Sequence, residues 1–506
     1  MAIGHRPAYA GGMIRHRLGL AAALVTFAFC LALPGAAGQA RAASCRVTLS
    51  TGGKEGSTPG GALLIRSAVL LPDRALAHGE VLVGADGRIV CAGSTCAARA
   101  HRARILDCPD DVLSPGLINT HDHIDFTSVA PRPDTGERFE HRHEWRKGLD
   151  GHHRLENFEP DHDPRTIAWG ELRFLAGGTT STVAEAMAPG LLRNLDFAAG
   201  LEGLAARPVT YRIFPLDDAA GIMRTRDCDY GHHPATRSEV AATSAFLAHV
   251  AEGRDAAARN EFRCESDAGY DRTPEPGGGG TSNDWIMPQA ALIHAVALTR
   301  QDLELVARRH ASIVWSPRSN LSLYGRTLDV VAAHRLGITL ALGSDWLPSG
   351  SMNLNRELAC AASYDRDRLH GALGTRDLWR MVTIDAARVV HDEAVIGSIA
   401  PGRVADLALF ERRGGDPYNA VVSSSPLSVV LVMRGGTILY GRSKVVDALR
   451  PGCEALEVAG STRRLCREPH APDAASLMAF ARSRNFYPLA FRGRPLNEPS
   501  CRPSGA

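Results

Sequence analysis

The sequence predicts an α/β protein built on a (β/α)8 TIM barrel, with a small composite β-sandwich domain formed from both ends of the chain. The chain has 506 residues, more than one small core requires. In its middle, apolar strand-like runs alternate with helix-period segments over about 280 residues, as repeated βα units do. Short β-type runs flank that region, at residues 62–111 and 397–440.

These runs set the predicted boundaries, and an active site is expected at the carboxyl ends of the barrel strands. The segments are a signal peptide (1–43), the N-terminal half of the β-sandwich (44–113), the barrel (114–394), the C-terminal half of the β-sandwich (395–445) and a C-terminal extension without assigned function (446–506). Within the barrel, strands are expected at 179–183, 209–214, 246–250, 291–296, 312–315 and 338–342, with a flexible loop at 274–283.

The bulk composition is that of a globular protein without a strong charge bias. Hydrophobic residues make up 44% of the chain, charged residues make up 22%, and the formal net charge is +2. This balance gives no electrostatic reason to expect nucleic acid or an anionic membrane as a partner. We therefore expect a small-molecule substrate, no nucleic-acid partner and no stable membrane span after processing, and a homo-oligomer stays open.

The first 43 residues are typical of an export signal. A basic stretch precedes the apolar residues 18–34, and small residues at 40–42 surround a possible cleavage point. We expect this segment to be removed and the protein to be periplasmic or extracellular. A retained membrane anchor is an alternative, although the apolar run is short for a spanning helix. A lipid anchor at Cys45 is less favoured, because the residue three positions earlier, Ala42, is not leucine.

The cysteine count is consistent with export. Loss of residues 1–43 removes Cys30 and leaves ten of the eleven cysteines, an even number that permits disulfides. Buried free thiols are the alternative, and the spacing does not give the pairing. The sequence has no Cys-x-x-Cys motif, so a cysteine zinc site has little support.

His121 and His123 are the strongest candidates for a functional site. In a strand, residues two apart point to the same side, so both imidazoles can face one ion. A second pair, His141 and His143, lies in a charged segment with no buried strand. Because metal ligands need a rigid support, we expect this second pair in a solvated or substrate-facing loop.

The first pair and its lead-in resemble the first barrel strand of the amidohydrolase superfamily, in the branch of cytosine, guanine and adenosylhomocysteine deaminases and chlorohydrolases. Four later segments resemble other site-bearing segments of that branch, in the same order along the chain. They are residues 246–253 with His249 and Glu252, residues 291–298 with His294, residues 315–320, and residues 342–345 ending at Asp345. The resemblance spans most of residues 60–445.

The resemblance implies a mechanism that depends on one divalent metal ion. The implied ligands are His121, His123, His249 and Asp345. Zinc is expected, with ferrous iron as the alternative, since histidine and carboxylate suit either ion. A metal-activated water would be the nucleophile. Asp345 would accept its proton, Glu252 would protonate the substrate or the leaving nitrogen, and His294 would polarise the attacked centre.

Each of these residues also has an ordinary structural interpretation. His294 could be a hydrogen-bonded core histidine, and Asp345 could cap the following helix. Glu252 could favour the positive end of a helix that begins close after it. Polar residues at the carboxyl ends of several barrel strands nevertheless argue together for a site.

Two features depart from the pattern of the branch. The branch often has glycine after the eighth-strand aspartate, whereas Trp346 follows Asp345 here and is expected to narrow or line the pocket. The loop after the first strand has no nucleobase-recognition pattern. We expect Asn320, His143 and Trp145, together with Trp346, to contact the substrate.

The implied function is hydrolysis of a carbon-nitrogen bond other than a peptide bond, by deamination of a cyclic amidine or cleavage of a related amide. A dechlorinating or other leaving-group hydrolase at the same site is one alternative, and a non-catalytic exported metal-binding barrel is another. A binuclear hydrolase is disfavoured, because the chain has only three lysines and none lies in an apolar strand-like run of the barrel. Glu185 is the residue that could bridge a second ion.

Overall fold

The structure is a computed structural model that describes residues 45–49, 61–155, 158–274 and 280–502. The expected signal peptide at 1–43 lies outside the described residues, as do residues 275–279 of the expected flexible loop. Within the described ranges, no helix combines the length and the apolar character that crossing a membrane requires.

The strands fall into three groups along the chain. The first group is β1 (Arg46–Leu49), β2 (Leu63–Leu70), β3 (Ala75–Val83), β4 (Ile89–Gly93) and β5 (Arg104–Pro115). The middle group is β6 (Leu117–Asn119), β7 (Thr179–Thr182), β8 (Arg193–Asn194), β9 (Thr210–Arg212), β10 (Phe246–Val250), β11 (Ala290–His294), β12 (Ser312–Trp315) and β13 (Leu340–Leu342). The last group is β14 (Leu407–Glu411), β15 (Val429–Arg434), β16 (Thr437–Arg442), β17 (Glu454–Val458) and β18 (Ser461–Leu465).

The helices lie mainly between and after the strands of the middle group. Those before β13 are α1 (Arg142–Lys147), α2 (Pro164–Ala176), α3 (Arg237–Ala242), α4 (Ala256–Ser266), α5 (Arg300–Arg308), α6 (Pro317–Tyr324) and α7 (Val330–Arg335). Those after it are α8 (Leu354–Arg368), α9 (Thr375–Arg380), α10 (Ile384–Val389), α11 (Asn419–Val422), α12 (Ser443–Leu449) and α13 (Ala474–Ser483).

The eight strands of the middle group form a parallel barrel. Strands β6, β7 and β8 pair in that order, and β9 to β13 pair in a second parallel sheet. On one side the sheets meet where the N–H of Val209 donates to the carbonyl of Leu195 at 2.9 Å. On the other side the N–H of Asp345 donates to the carbonyl of His121 at 3.1 Å. The prediction of a (β/α)8 barrel is therefore confirmed.

Continuous burial explains why these segments form barrel strands. All residues of β10 and β11 are buried, as expected for parallel strands that are covered on both faces. Helix α5, which follows β11, begins with a capping box: the Thr299 side chain accepts from the N–H of Asp302, and the Asp302 carboxylate accepts from the N–H of Thr299.

The positions of most barrel strands agree with the sequence prediction. Strands β10 and β12 have the predicted bounds, 246–250 and 312–315. Strand β8 was not predicted, because it has only two residues and both are polar. Its Arg193 is buried and forms an ion pair of 2.8 Å with Asp406, a partner that is distant in sequence.

Strands from both ends of the chain share one ten-stranded sheet. Its order is β17-β18-β16-β15-β14-β5-β2-β3-β4, with β1 paired to β5. Strand β5 runs antiparallel to β14, and Leu113 lies opposite Leu409 at this junction. The further prediction that these strands form a β-sandwich stays a prediction.

The C-terminal extension is folded onto the rest of the chain. The predicted boundary between residues 445 and 446 falls inside α12, and β17 and β18 continue the ten-stranded sheet beside β16. The indole N–H of Trp169 on α2 donates to the carbonyl of Tyr487 at 2.9 Å. Near the end of the chain, Glu498 is buried and accepts a hydrogen bond of 2.6 Å from Arg356 on α8.

All ten cysteines of the described ranges form disulfides. The pairs are Cys45–Cys108, Cys91–Cys96, Cys228–Cys264, Cys360–Cys501 and Cys453–Cys466. The alternative of buried free thiols is therefore wrong. The pairing joins residues that are close in space whatever their distance in sequence, which is why the spacing did not give it.

We predict that the Cys360–Cys501 disulfide stabilises the protein more than the Cys91–Cys96 disulfide does. The first joins residues 141 positions apart and the second joins residues 5 positions apart. Because cross-linking a longer loop restricts the unfolded chain more, serine at both Cys360 and Cys501 should lower the free energy of unfolding by about 2–4 kcal/mol. Denaturant titration should show a smaller loss for serine at Cys91 and Cys96, and an equal loss would contradict the prediction.

Candidate metal centre and active site

The candidate ligands lie at the carboxyl ends of four barrel strands. His121 and His123 follow β6, His249 lies on β10, His294 ends β11 and Asp345 follows β13. This end of a (β/α)8 barrel is where active sites form. The barrel therefore brings together residues that are more than 200 positions apart in sequence, as in the hydrogen bond between the backbones of His121 and Asp345.

The side chains of these residues form two groups of potential ligand atoms, and His121 belongs to both groups. The Nε2 atoms of His121 and His123 are 3.4 Å apart, and Asp345 Oδ1 lies 3.6 Å and 3.8 Å from them. Ligand atoms of His121, His249 and His294 also lie within 4.8 Å of one another. These separations suit an ion with ligands about 2.0–2.2 Å away. His294, which was expected to polarise the attacked centre, thus lies beside His121 and His249.

Local backbone features allow this approach. A Cβ atom at Gly343 would lie 2.4 Å from the Cβ of His121, so only glycine lets β13 come this close to the first histidine. His294 and Asp345 have positive φ angles of 71° and 64°. Such conformations cost a non-glycine residue on the order of 1 kcal/mol or more, and they concentrate at functional sites.

Three of the four histidines are oriented by a hydrogen bond at Nδ1. The pairs are His121 with Ser316 Oγ at 3.0 Å, His123 with Glu185 Oε2 at 3.1 Å, and His294 with Asn320 Oδ1 at 2.9 Å. Partners of this kind fix the ring and leave Nε2 to face the ion. His249 differs, because its buried Nδ1 has no hydrogen-bond partner within the described part of the chain.

Burial controls the charge of these groups. It lowers the pKa of His121 and His249 well below the ordinary histidine value, and the neighbouring imidazoles lower both further. It raises the pKa of Asp345, although nearby imidazolium charge opposes this. Burial would also lower the pKa of His123, but the hydrogen bond and charge of Glu185 outweigh it and raise that pKa to about 9. The site thus offers the neutral imidazoles of His121 and His249 to a cation, which would also have to displace the proton of His123.

Glu252 lies beside the ligands and is held in place. Its Oε1 is 3.8 Å from His294 Nε2 and accepts a hydrogen bond of 2.7 Å from the Tyr324 hydroxyl. Burial, with the charge of Glu252, raises the pKa of Tyr324 well above its ordinary value, so this hydroxyl keeps its proton and donates it. A carboxylate fixed next to the ligand atoms is positioned to transfer protons.

The ordinary structural interpretations of these residues do not fit the structure. Asn353, not Asp345, caps the helix that follows β13. Asp255, not Glu252, caps α4. His294 is buried, but it lines a cavity instead of packing only within the core.

A cavity of about 270 Å³ opens onto the site. Its lining includes the site residues His123, His249, Glu252, His294 and Asp345, the aromatic residues Phe126, Trp145, Phe158, Phe214 and Trp346, and the basic residues Arg142, Arg146, Lys147 and Arg154. The structure therefore places Trp145 and Trp346, two of the four expected substrate contacts, in the wall of the cavity. Trp346, which follows Asp345 where the branch often has glycine, therefore lines the pocket.

The other two expected substrate contacts do not line this cavity. Asn320 is buried between His294 and the hydroxyl of Thr327, to which its Nδ2 donates at 3.0 Å. It therefore orients a histidine. His143 is buried with its Nε2 2.8 Å from Asp218 Oδ2, so its ring is turned into the protein.

The prediction of a solvated loop around His143 was wrong, although Trp145, Arg146 and Lys147 of the same segment do face the cavity. The segment forms α1, with His141 as its N-cap, and both histidines are fully buried. The charged residues of the segment find partners inside the protein. Arg142 lies 2.5 Å from Asp218 and 3.5 Å from Glu261, and these partners are distant in sequence.

His141, His143 and Glu261 form a second group of potential ligand atoms within 4.8 Å of one another. The guanidinium of Arg142 already occupies this cluster as its cation. Although burial opposes it, the charge of Arg142 lowers the pKa of both Glu261 and Asp218. The cluster is therefore a buried ion-pair network that fixes α1 under the cavity, and a second cation there would be repelled.

Several residues that support the site were not predicted in these roles. Tyr324 is four residues after Asn320 on α6, so the helical (i, i+4) relation could have found it once Asn320 was singled out. Ser316 was within a recognised segment, but its bond to His121 depends on tertiary contacts. Glu185 was considered only as a bridge to a second ion.

Comparisons with known proteins agree with this geometry. A family model described as the amidohydrolase family matches residues 248–439. A 5-methylthioadenosine/S-adenosylhomocysteine deaminase of Desulfitobacterium hafniense is 25% identical over 449 residues, which cover 80% of this chain and 96% of that protein.

Two solved structures are similar in fold. An adenosine deaminase from Xanthomonas campestris with bound zinc has a TM-score of 0.53 and 19% identity, covering 84% of this chain and 97% of that one. An atrazine chlorohydrolase from Arthrobacter aurescens complexed with zinc has a TM-score of 0.56 and 18% identity, covering 83% of this chain and 99% of that one.

The region matched by the family model contains His249, Glu252, His294 and Asp345, and the histidine pair after β6 completes the same cluster. Residues 248–439 therefore match the amidohydrolase family, and 80% of the chain is similar to a hydrolase that acts on a carbon-nitrogen bond other than a peptide bond.

Proposed function

We propose that the protein deaminates a cyclic amidine, or cleaves a related cyclic amide, with water as the nucleophile. The observation that carries this proposal is the position of Glu252 in the same cavity wall as His294 and Asp345. A leaving nitrogen must be protonated before it departs, and the carboxyl group of Glu252, in its acid form, is placed to supply that proton. The relative named as a 5-methylthioadenosine/S-adenosylhomocysteine deaminase supports the proposal, since an aminopurine ring is a cyclic amidine.

The donor set fits one divalent metal ion. The ligands that we assign are His121, His123 and Asp345, which form one group of potential ligand atoms, and His249, which forms a second group with His121. The buried Nδ1 of His249 has no partner among the described residues, and the pKa of the ring is lowered. Both features suit a neutral imidazole that can coordinate a cation. We assign zinc, which the two similar solved structures carry, with ferrous iron as the alternative. When bound, the ion acidifies a water molecule and so supplies a nucleophile near neutral pH.

The side chains around that water then move its protons. Asp345 accepts a proton from the attacking water, and Glu252, held by the Tyr324 hydroxyl and protonated at the start of the cycle, delivers its proton to the leaving nitrogen. The proton on Asp345 then returns to Glu252, which restores both groups. His294, oriented by Asn320, polarises the atom under attack. The carboxylate, the imidazole and their partners are all buried, which strengthens these interactions by excluding water.

We assign one ion, not two. Glu185 Oε2 is engaged with Nδ1 of His123, which makes Glu185 an outer partner of a ligand and not a bridge between ions. A single ion needs no carboxylated lysine to bridge it to another ion, so this arrangement is compatible with the scarcity of lysines.

We also propose that the protein is exported to the periplasm or the extracellular space. Five disulfides within the described ranges support this, because such bonds persist in oxidising compartments. The bond between Cys45 and Cys108 argues against a lipid on Cys45, because that thiol is not free.

Fractionation of cells that make the full chain, with N-terminal sequencing, should give an exported form that begins near residue 44. A cytoplasmic, unprocessed protein would contradict this proposal.

The proposed reaction is tested by metal analysis combined with a substrate panel. Zinc-loaded processed protein should contain one ion per chain and release ammonia from at least one member of a panel of aminopurines, aminopyrimidines and pterins. Chloride release from chlorotriazines without any ammonia release would instead support the dechlorinating alternative. If neither product forms at one bound ion per chain, a non-catalytic metal-binding barrel becomes the better interpretation.

Substitutions at Asp345 and Glu252 should separate metal binding from proton transfer. Asp345→Asn removes a charged ligand, so it should lower the metal content and abolish turnover. Glu252→Gln should keep the metal and lower kcat by about 10²–10⁴-fold, because only the proton donor is lost. Glu265→Gln is a matched control, since Glu265 is buried outside the cavity and burial raises its pKa well above the ordinary value. Full activity of the Glu252→Gln variant would contradict the assignment of proton transfer to Glu252.

A further inference from the structure

The cavity outside the metal centre has a charge that the proposed reaction does not require. Arg146, Lys147 and Arg154 line it, and we call these three residues the cationic rim. We propose that the substrate is a flat heterocycle with an anionic group, a carboxylate or a phosphate, that this rim binds. The inference rests on the proposed function, because it assigns the substrate class of the same cavity.

The charges of the lining are unevenly distributed. Its carboxylates are Glu252 and Asp345, and both lie next to the histidine cluster. A fourth cation in the lining, Arg142, is neutralised by Asp218 and Glu261. The rim therefore faces the cavity with no carboxylate of the lining beside it.

The rim residues also lack ion-pair partners. Within the described ranges, no carboxylate lies within 4.0 Å of Arg146, Lys147 or Arg154. By contrast, the neighbouring Arg138 has one such carboxylate and Arg142 has two. Three unpaired cations on one cavity wall repel one another, and a bound anion would relieve that repulsion. An anionic ligand is therefore favoured here by charge alone, and a cationic ligand is disfavoured.

Arg146 is held in a fixed position for such a contact. Its guanidinium lies over the ring of Phe214, 4.2 Å from the centroid, and its Nη1 donates to Nδ1 of His143 at 2.8 Å. His143 is fixed in turn by Asp218. Burial, with the charge of Arg142, lowers the pKa of Arg146 to about 10, which still leaves it charged at neutral pH. A preorganised guanidinium binds carboxylate and phosphate better than a mobile one does.

An aromatic wall connects the rim with the metal centre. The rings of Trp145 and Trp346 are 5.3 Å apart with an interplanar angle of 35°. Phe126 and Phe158 meet Trp346 edge-on, at 5.3 Å and 5.9 Å. Trp346 directly follows Asp345, and Arg146 directly follows Trp145. A flat ring stacked on this wall would have one edge at the metal centre and a substituent at the rim.

Binding of matched probes tests the inference independently of turnover. Isothermal titration of the zinc-loaded protein would compare pterin with pterin-6-carboxylate and adenosine with adenosine 5′-monophosphate. The anionic member of at least one pair should bind about tenfold more tightly, the gain expected from one charge-assisted contact. The pair with the larger ratio shows whether the rim takes a carboxylate or a phosphate.

Substitutions in the rim separate it from the metal, which also attracts anions. Arg146→Met combined with Lys147→Met removes the preorganised guanidinium and its neighbouring charge, so it should reduce the preference for the anionic probe to near onefold. Arg308→Met combined with Lys444→Met removes the same charge away from the cavity and should leave the preference unchanged. An anionic probe that binds no more tightly than its neutral partner, or a preference that survives in the rim variant, would overturn the inference.

Ammonia release from the same four compounds distinguishes this failure from failure of the proposed function. Turnover of the neutral compounds without any anionic preference would overturn only the cationic rim as a substrate site. Rim-dependent binding of an anionic probe with no ammonia from any compound would support the rim and count against the proposed deamination.

Discussion

The site depends on the closure of the barrel between its first and last strands. The N–H of Asp345 donates to the carbonyl of His121, and the N–H of His123 donates to the carbonyl of Asp345 at 3.0 Å. These backbone bonds hold the aspartate and the histidine pair in register, with Gly343 leaving room for the close approach. Because both bonds belong to the backbone, the geometry of these ligands is as rigid as the barrel itself.

One helix supplies most of the second layer of the site. Ser316, the N-cap of α6, bonds His121, and Asn320 and Tyr324 on the same helix bond His294 and Glu252. Buried polar groups without partners are costly, so this helix both satisfies the site and fixes its orientation. A change in the position of α6 would therefore disturb the hydrogen bonds of three site residues at once.

The features of the fold and site that could be predicted from the sequence are those that depend on local residue patterns. The strand that carries His249 is a continuous apolar run, so its bounds were correct. Strand β8 and the burial of His143 could not be predicted, because they depend on partners far along the chain. Asp218, for example, is 75 residues from His143, and a charged segment is buried only if such a partner exists. The role of Tyr324 depends in the same way on where α6 packs.

The C-terminal extension acts on the site through α6. Arg318, the second residue of that helix, donates to the carbonyl of Pro499 at 2.5 Å and lies 3.4 Å from the buried carboxylate of Glu498. The same arginine donates to Ser351 in the segment after β13, at 2.5 Å. An arginine buried this deeply needs its full set of acceptors, so the extension and the helix position each other. A polar, poorly periodic tail thus supports the candidate metal centre from outside the barrel, and its disulfide from Cys501 to α8 keeps it there.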